Sequence, residues 1–219
     1  MATATQDIEA SATGTGEAEH RAPAGADLLF IARFLTREEA GRYFTLFAGD
    51  RCVQWRQDHL QLYGRRIALP RLTAWYGEPG LRYAYSGIVN DALPWDGPLQ
   101  ELARRVEQAA GTRFNSVLLN LYRDERDGVS WHSDDEPELG AEPVIGSLSL
   151  GATRTFQLRR KDYRRSAVAW EELSLTGGSL LVMRGSTQRL WQHRLPKQIG
   201  RPCGARVNLS FRWIERRGT

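Results

Sequence analysis

The chain has 219 residues, of which 41% are hydrophobic and 10% aromatic, and 30 basic against 26 acidic residues give a net charge of +4. This length and apolar content predict one domain with one sizeable core. The mild basic bias suits a polyanionic partner without requiring one. The two cysteines, Cys52 and Cys203, form no C-x-x-C pair, so we expect no cysteine metal site and a reducing cytosol.

Residues 1–26 are rich in Ala, Thr, Gly and Glu and nearly free of large apolar residues. Such a segment cannot offset the entropy lost on ordering, so we predict a disordered tail before a single domain over residues 27–219. No basic segment followed by an apolar one marks a signal peptide, and no later apolar run has membrane-spanning length. We therefore expect no membrane association.

Two helices are predicted. Thr36 with Glu39 makes a capping box, and apolar residues follow at helical spacing: Ala40, Tyr43, Phe44 and Phe47. A second helix is predicted to begin near Asp96 and to end at Gly111. It should bury Leu99, Leu102, Ala103 and Val106.

Strand patterns dominate after Asn115: SVLLNLY, VIGSLSL, RTFQLR, then SLLVM after the Gly177-Gly178 turn, and finally RVNLSFRW. Helices first and antiparallel strands later indicate an α+β fold.

His132 and Asp134 stand two residues apart just after an apolar strand. With a distant histidine such as His193, they could form the two-histidine, one-carboxylate set that holds ferrous iron. Alone this spacing is weak evidence for a metal site. With four histidines and 26 acidic residues, a His-x-Asp or His-x-Glu match occurs by chance in about one of two such chains. An exposed loop histidine is the competing interpretation of His193.

The last strand alternates between two faces. Its polar face carries Arg206, Asn208, Ser210 and Arg212, and its apolar face Val207, Leu209, Phe211 and Trp213. A solvated edge strand would explain this pattern. However, Asn120 and Tyr122 also share one face of the apolar strand SVLLNLY, so two strands carry hydrogen-bonding groups that could point inward. Such an interior could bind a small dicarboxylate.

This ordered set, from Asn120 to Arg212, resembles the AlkB family of Fe(II)/2-oxoglutarate-dependent nucleic-acid dealkylases, especially the subgroup acting on double-stranded DNA. The resemblance covers about residues 28–214 and implies a double-stranded β-helix, or jelly-roll, with supporting helices on one face. It implies iron ligands, which are also the catalytic residues, at His132, Asp134 and His193. It places 2-oxoglutarate against Asn120, Tyr122, Arg206, Asn208 and Arg212, with O2 as the other cosubstrate.

The reaction that the resemblance implies is oxidative dealkylation of N-alkylated bases of the 1-methyladenine and 3-methylcytosine type. Oxidative decarboxylation of 2-oxoglutarate gives succinate and CO2 and drives hydroxylation of the N-alkyl carbon. The resulting hemiaminal releases an aldehyde and the unmodified base.

The substrate residues also follow from the resemblance, within a nucleotide-recognition segment of about residues 55–90. Glu136 would accept a hydrogen bond from the exocyclic amine of a flipped base, although a solvated acid is the alternative. Tyr83, Tyr85 and Ser86 would line the base pocket, although an aromatic stripe in a strand is often core. Leu62 and Tyr63 would form a hairpin tip that fills the gap left by the flipped base, although a plain β-turn competes.

The expected partner is nucleic acid, double-stranded DNA first and single-stranded DNA or RNA next, bound by a monomer in the cytoplasm, or in the nucleus of a eukaryote. The runs Arg159–Arg165 and Gly64–Arg66 are candidates for phosphate contacts, with solvated surface as the alternative. Two rival functions are the same chemistry on RNA or a protein side chain, and a binder of alkylated nucleic acid without turnover.

Overall fold

The structure is a computed structural model that describes residues 16–49, 52–62, 64–85, 88–95, 97–165, 167 and 170–216, with the backbone alone for residues 62, 82–85 and 88–90. The helices are α1 Arg37–Ala48, α2 Gly97–Ala110 and α3 Thr187–Leu190, with 3₁₀ turns at Pro23–Gly25 and Pro137–Leu139. Across these ranges, no helix has the length and apolar character needed to span a membrane.

The strands before α2 are β1 Ala18–Arg21, β2 Asp27–Ile31, β3 His59–Leu62, β4 Arg65–Ala68, β5 Leu72–Gly77, β6 Arg82–Tyr85, β7 Ile88–Asp91 and β8 Leu93–Pro94. Those after it are β9 Ser116–Tyr122, β10 Val129–His132, β11 Ile145–Gly151, β12 Arg154–Arg160, β13 Trp170–Leu175, β14 Leu180–Arg184, β15 Trp191–Leu195 and β16 Arg206–Arg212. The strands predicted after residue 115 are confirmed as β9, β11, β12, β14 and β16, but eight strands also precede α2.

Both predicted helices are present. At α1 the Thr36 hydroxyl accepts a hydrogen bond from the Glu39 backbone N–H (3.2 Å), and the Glu39 carboxylate accepts one from the Thr36 backbone N–H (2.8 Å), which is the predicted capping box. Helix α2 stops before Gly111, whose φ of +70° a glycine adopts without strain. It buries the four predicted residues and also Ala110.

The larger sheet has the order β1-β2-β14-β11-β16-β9-β5-β8, and its neighbours are antiparallel except for β5 with β8. Helices α1 and α2 cover one face of this sheet. Phe47 of α1 and Leu102 and Val106 of α2 pack there with Leu119 and Leu209 in one buried cluster. Supporting helices on one face, as predicted, leave the other face of the sheet free to form the barrel interior.

The smaller sheet has the order β10-β15-β12-β13. A second buried cluster fills the space between the sheets, with Phe156 and Leu173 from the smaller sheet packed against Leu181 and Met183 from the larger. Two antiparallel sheets that enclose a shared core are the α+β jelly-roll predicted from the sequence.

Two β-hairpins complete the fold. Strands β3 and β4 pair from His59 with Ala68 to Leu62 with Arg65, and all of β4 is exposed. Strands β6 and β7 pair from Arg82 with Asp91. Both hairpins fall within the predicted nucleotide-recognition segment.

Two expectations need correction. The predicted tail was too long at its C-terminal end, because residues 18–21 form β1 and pair with β2 through backbone hydrogen bonds. Residues 1–15 lie outside the described residues. Trp213, assigned to the apolar face of the last strand, follows the end of β16 and is 47% exposed.

Candidate metal and 2-oxoglutarate site

Three candidate metal ligands meet at the open edge of the smaller sheet. His132 ends β10 and pairs directly with His193 of β15, and Asp134 lies two residues after His132, beyond the end of the strand. The nearest donor atoms of the three side chains lie within 4.8 Å of one another. Two imidazoles and one carboxylate on one side of a site suit ferrous iron with open coordination positions.

The His132 ring is held in one orientation. Its Nδ1 lies 2.8 Å from the carbonyl oxygen of Ser130, so Nδ1 carries the proton and donates to that oxygen. The lone pair of Nε2 then faces Asp134, whose Oδ1 is 3.8 Å away. A backbone carbonyl that fixes the tautomer of a histidine is a common support for a metal ligand.

Asp134 is almost completely buried but stays ionised. Burial acts to raise its pKa, but Arg212, His193 and His132, in that order, outweigh it and lower the pKa to about 2. Its Oδ2 accepts a hydrogen bond from Arg212 Nη2 at 2.7 Å. Its backbone N–H donates to Gln188 Oε1 at 2.9 Å. The carboxylate therefore has a fixed position and one oxygen available to a metal.

His193 is a buried and neutral imidazole. Burial lowers its pKa to about 3, and His132 and Arg212 act in the same direction against Asp134. Its ring stacks on Phe156 at 5.3 Å and meets the His132 ring at 4.2 Å. Since a metal binds the neutral form of histidine, this environment prepares the residue as a ligand. The exposed-loop alternative for His193 is wrong.

A narrow cavity continues from these three residues between the two sheets. Polar side chains of the larger sheet, and Arg71 just before β5, line it: Arg71, Asn120, Tyr122, Ser147, Arg206, Asn208, Ser210 and Arg212. Arg206 and Arg212 are 2% and 5% exposed, so the polar face of β16 points inward. The solvated edge-strand alternative is therefore wrong.

Arg206 lies in this cavity and forms no salt bridge with any carboxylate that the structure describes. Its Nη2 donates to Ser149 Oγ at 2.9 Å and its guanidinium lies 5.4 Å from the Tyr122 ring, but its buried Nε has no hydrogen-bond partner among the described residues. Burial lowers its pKa to about 10, with Tyr122 raising and Arg154 lowering it, so it stays charged at neutral pH. A buried cation with an unsatisfied donor fits a ligand carboxylate.

The other predicted 2-oxoglutarate residues have partners inside the protein. Asn120 Oδ1 accepts from Arg71 Nε at 2.9 Å. Asn208 Nδ2 donates to Ser147 Oγ and to the Leu148 carbonyl, at 2.9 and 3.1 Å. Arg212, predicted to bind a carboxylate of 2-oxoglutarate, holds the carboxylate of Asp134 in this structure. Their contact with 2-oxoglutarate stays a prediction.

The predicted substrate residues are only partly described. Glu136 is half-buried and precedes the 3₁₀ turn Pro137–Leu139, outside the residues that line the cavity. Leu62, Tyr83 and Tyr85 belong to β3 and β6, of which the backbone is described. Tyr63 and Ser86 lie outside the described residues. All six assignments therefore stay predictions.

Several residues of the site were not predicted from the sequence, and three of them support predicted ones. Arg71 precedes β5 and lines the cavity, and Gln188 of α3 holds the backbone of Asp134. Arg154 is fully buried and donates to the carbonyls of Asp127 and Pro196 at 2.8 Å each, which ties two loops behind Tyr122. Arg154 alternates with half-buried positions on β12 in the same way as the buried residues Phe156 and Leu158. That alternation could have predicted that Arg154 points inward.

Comparison with known proteins agrees with this geometry. The family model of the 2OG-Fe(II) oxygenase superfamily matches residues 27–212. The human alpha-ketoglutarate-dependent dioxygenase alkB homolog 3 is 50% identical over 153 residues, which cover 66% of this chain and 52% of that protein. The chain thus spans about half the length of this curated relative.

Two further comparisons extend over more of the chain. The DNA oxidative demethylase ALKBH2 of Arabidopsis thaliana is 36% identical over 213 residues, which cover 87% of this chain and 67% of that protein. The solved structure of OsALKBH1 superposes with a TM-score of 0.62 at 16% identity and covers 90% of this chain and 100% of that one. At that identity, the superposition supports the fold alone.

Proposed function

Because this chain belongs to the 2OG-Fe(II) oxygenase superfamily and to its AlkB family, we propose that it oxidatively removes N-alkyl groups from the bases of DNA. Membership of this family implies Fe(II), 2-oxoglutarate and O2 as cofactor and cosubstrates. The observation that carries the proposal is that the triad of His132, Asp134 and His193 shares one cavity with Arg206, a buried cation whose Nε has no hydrogen-bond partner among the described residues.

The triad would hold the iron through His132 Nε2, a nitrogen of His193 and Oδ1 of Asp134. Bound iron supplies O2 activation coupled to the decarboxylation of 2-oxoglutarate. The chain's own contribution is to keep the His193 imidazole neutral, to keep Asp134 ionised and to fix the second oxygen of Asp134 on Arg212. This arrangement leaves coordination positions for a bidentate cosubstrate and for O2.

Arg206 would bind the distal carboxylate of 2-oxoglutarate. The guanidinium is already held by Ser149 and by the Tyr122 ring, so little side-chain entropy is lost when the ligand arrives. Asn120, Tyr122, Asn208 and Arg212 would complete the site from neighbouring strands, since β9 and β16 pair residue by residue along this face.

The proposed substrates are bases alkylated at a ring nitrogen, such as 1-methyladenine and 3-methylcytosine. Hydroxylation of the alkyl carbon gives a hemiaminal, which breaks its carbon–nitrogen bond and leaves as an aldehyde, while 2-oxoglutarate leaves as succinate and CO2. Glu136 would accept a hydrogen bond from the exocyclic amine, and Tyr83, Tyr85 and Ser86 would enclose the base. DNA is favoured because ALKBH2, at 36% identity, is named a DNA oxidative demethylase.

Duplex DNA is the proposed form of the substrate. The hairpin of β3 and β4 supports this assignment because β4 is exposed along its whole length and carries Arg65, Arg66 and the 47%-exposed Ile67. Basic and apolar side chains together suit contact with phosphates and with unstacked bases. Leu62 and Tyr63, at the tip, would fill the gap left by a flipped base. We place this activity in a monomer of the cytoplasm, or of the nucleus in a eukaryote.

The test is incubation of the full chain with Fe(II), 2-oxoglutarate and ascorbate on oligonucleotides that carry 1-methyladenine or 3-methylcytosine. Single-stranded DNA, duplex DNA and RNA are compared, and mass spectrometry follows the loss of 14 Da per methyl group, which is about the mass of one CH2 unit. One succinate per restored base is expected. The His132→Ala variant is the matched control and should restore none. Succinate formation without base restoration on any strand would reject the proposal.

A further inference from the structure

The outer face of the smaller sheet, turned away from the cavity, carries a cluster of aromatic rings and arginines. We call it the Trp131 surface: Trp131, Arg159, Tyr163, Trp170 and Arg194. The guanidinium groups of Arg159 and Arg194 lie 4.2 and 4.5 Å from the centre of the Trp131 ring. The Trp170 ring meets Trp131 edge-on at 5.2 Å and is 49% exposed.

The two stacked arginines have neutral partners. Arg159 donates to Gln192 Oε1 at 3.0 and 3.2 Å, and Arg194 donates to Gln157 Oε1 at 2.7 Å. Neither forms a salt bridge with a carboxylate in the part of the chain that the structure describes. An arginine held over a ring can still use its remaining N–H groups to bind an anion.

The basic run predicted for phosphate contacts continues this cluster. Arg159 also lies 4.8 Å from the Tyr163 ring, and Arg164 lies 5.6 Å from the same ring. Arg160 and Lys161, by contrast, are neutralised by Asp162 and Asp135. The free positive charge of the run is therefore concentrated where the aromatic rings are.

The Trp131 surface begins next to the metal triad. Trp131 immediately precedes His132 on β10, an edge strand, and the two side chains point to opposite faces of the sheet. The Lys161–Asp135 ion pair, at 2.8 Å, links the basic run to the residue after Asp134. A chain that leaves the cavity around this edge strand would reach the aromatic rings of the Trp131 surface.

We propose that the Trp131 surface binds the nucleic-acid strand on one side of the alkylated nucleotide, with phosphates on Arg159 and Arg194 and a base on the exposed face of Trp170. This rests on the proposed function, since it extends the substrate site beyond the cavity. A nucleic-acid strand is the occupant because it alone pairs regular negative charges with flat rings able to stack. An acidic peptide would match the arginines but not the half-exposed tryptophan.

The experiment compares two lengths of one substrate: a trinucleotide centred on 1-methyladenine and a fluorescein-labelled single strand of about 15 nucleotides with the same lesion. The length of about 15 exceeds what the cavity alone could contact. Binding to the full chain is measured by fluorescence anisotropy without 2-oxoglutarate, over a series of salt concentrations. Dealkylation of both lengths is measured separately with all cosubstrates present.

The Arg159→Gln/Arg194→Gln double variant should bind the long strand about tenfold more weakly. Its plot of log affinity against log salt should be shallower by about 1.4, which is two phosphates at about 0.7 each on a single strand. Trp170→Ala should also bind the long strand about tenfold more weakly, while Trp170→Phe keeps a ring and should bind it like the wild type. Binding and dealkylation of the trinucleotide should not change in any of these variants.

Arg42→Gln is the matched control, because Arg42 is an exposed arginine on α1, behind the other sheet. It should leave the affinity and the salt slope unchanged. An unchanged salt slope in the double variant, or equal losses on the trinucleotide, would overturn the proposal. So would a polyglutamate peptide of equal charge that competes as well as the strand. Failure of the wild type to dealkylate even the trinucleotide would instead reject the proposed function.

Discussion

Arg212 donates a hydrogen bond from Nη2 to Oδ2 of Asp134 across 2.7 Å, and both side chains are almost inaccessible to water. The other oxygen of the carboxylate, Oδ1, faces Nε2 of His132. Oδ1 is therefore the oxygen of Asp134 through which a metal ion would be held. One bond from this residue keeps coordination positions open for 2-oxoglutarate and O2.

Arg212→Met should destabilise the metal-free protein by about 3–5 kcal/mol, because it leaves a buried carboxylate without its cation. A divalent metal would supply the missing positive charge. Addition of Mn(II), which resists oxidation in air, should therefore raise the melting temperature of this variant more than that of the wild type. Thermal unfolding with and without the metal measures both effects.

The control is the double variant Arg212→Met/Asp134→Asn, which removes both charges of the pair. It should be more stable than Arg212→Met alone in the absence of metal, and Mn(II) should not stabilise it. Equal stability of the single and double variants would show that the ion pair has no part in holding Asp134.

His132→Ala should abolish metal binding and turnover while it lowers the melting temperature little. The His132 side chain is 27% exposed and its hydrogen bond goes to the nearby Ser130 carbonyl, so little packing is lost. Asp134→Ala should also abolish metal binding and turnover. Because it removes the salt-bridge partner of Arg212, it should be clearly less stable than His132→Ala. Calorimetric titration with Mn(II) and thermal unfolding of both variants test this contrast. Turnover by His132→Ala at wild-type iron concentrations would contradict the assignment.

The sequence predicts the residues whose spacing is local. Period-two alternation on β16 placed Arg206 and Arg212 on one face, and the structure confirms that this face lines the cavity. Alternation reports the face but not the partner. Hence Asn208, predicted to bind a ligand, donates to Ser147 and the Leu148 carbonyl of β11, a strand about 60 residues away in the chain.

The residues that the sequence did not predict act across long separations. Gln188 reaches the backbone of Asp134 over 54 positions, and Arg71 reaches Asn120 over 49. No periodicity relates such positions, because only the packing of the two sheets brings them together. The Trp131 surface is a further case, since its arginines and rings come from four separate segments of the smaller sheet and its connecting turn.

Arg206→Met should remove the enzyme's ability to recognise the distal carboxylate of 2-oxoglutarate. 2-Oxopentanoate has a methyl group in place of the distal carboxylate. In the wild type, its use instead of 2-oxoglutarate should lower kcat/KM by a factor equivalent to about 2–5 kcal/mol. In the variant the two cosubstrates should be used almost equally poorly. Steady-state succinate or butyrate formation measures both. A variant that keeps the full preference for 2-oxoglutarate would show that Arg206 binds something else.

Gln188→Met should weaken metal binding by about 10–100-fold, because the Asp134 backbone N–H loses its acceptor and the ligand loses its fixed position. Met183→Leu is the matched control, since it removes the sulfur beside Gln188 Nε2 at 3.4 Å but leaves the contact with Asp134 intact. Calorimetric titration with Mn(II) compares the two variants. A lower melting temperature with unchanged metal affinity in Gln188→Met would make this residue a packing residue only.

Tyr63→Ala should lower activity on a methylated base in duplex DNA and spare the same lesion in a single strand. In the sequence, Tyr63 stands between Leu62, the last residue of β3, and the exposed strand β4. If its ring fills the gap left by a flipped base, it offsets part of the unstacking cost of a few kcal/mol that a duplex imposes and a single strand largely does not. Dealkylation rates on matched single-stranded and duplex oligonucleotides measure the difference.

Tyr63→Phe is the conservative control and should retain duplex activity, because stacking needs the ring and not the hydroxyl group. Iron and 2-oxoglutarate binding should be the same in both variants, since none of the described side chains of β3 and β4 lines the cavity. Equal losses of Tyr63→Ala on both substrates would instead mark the residue as structural. No loss on either substrate would remove the support that the hairpin gives to a duplex preference.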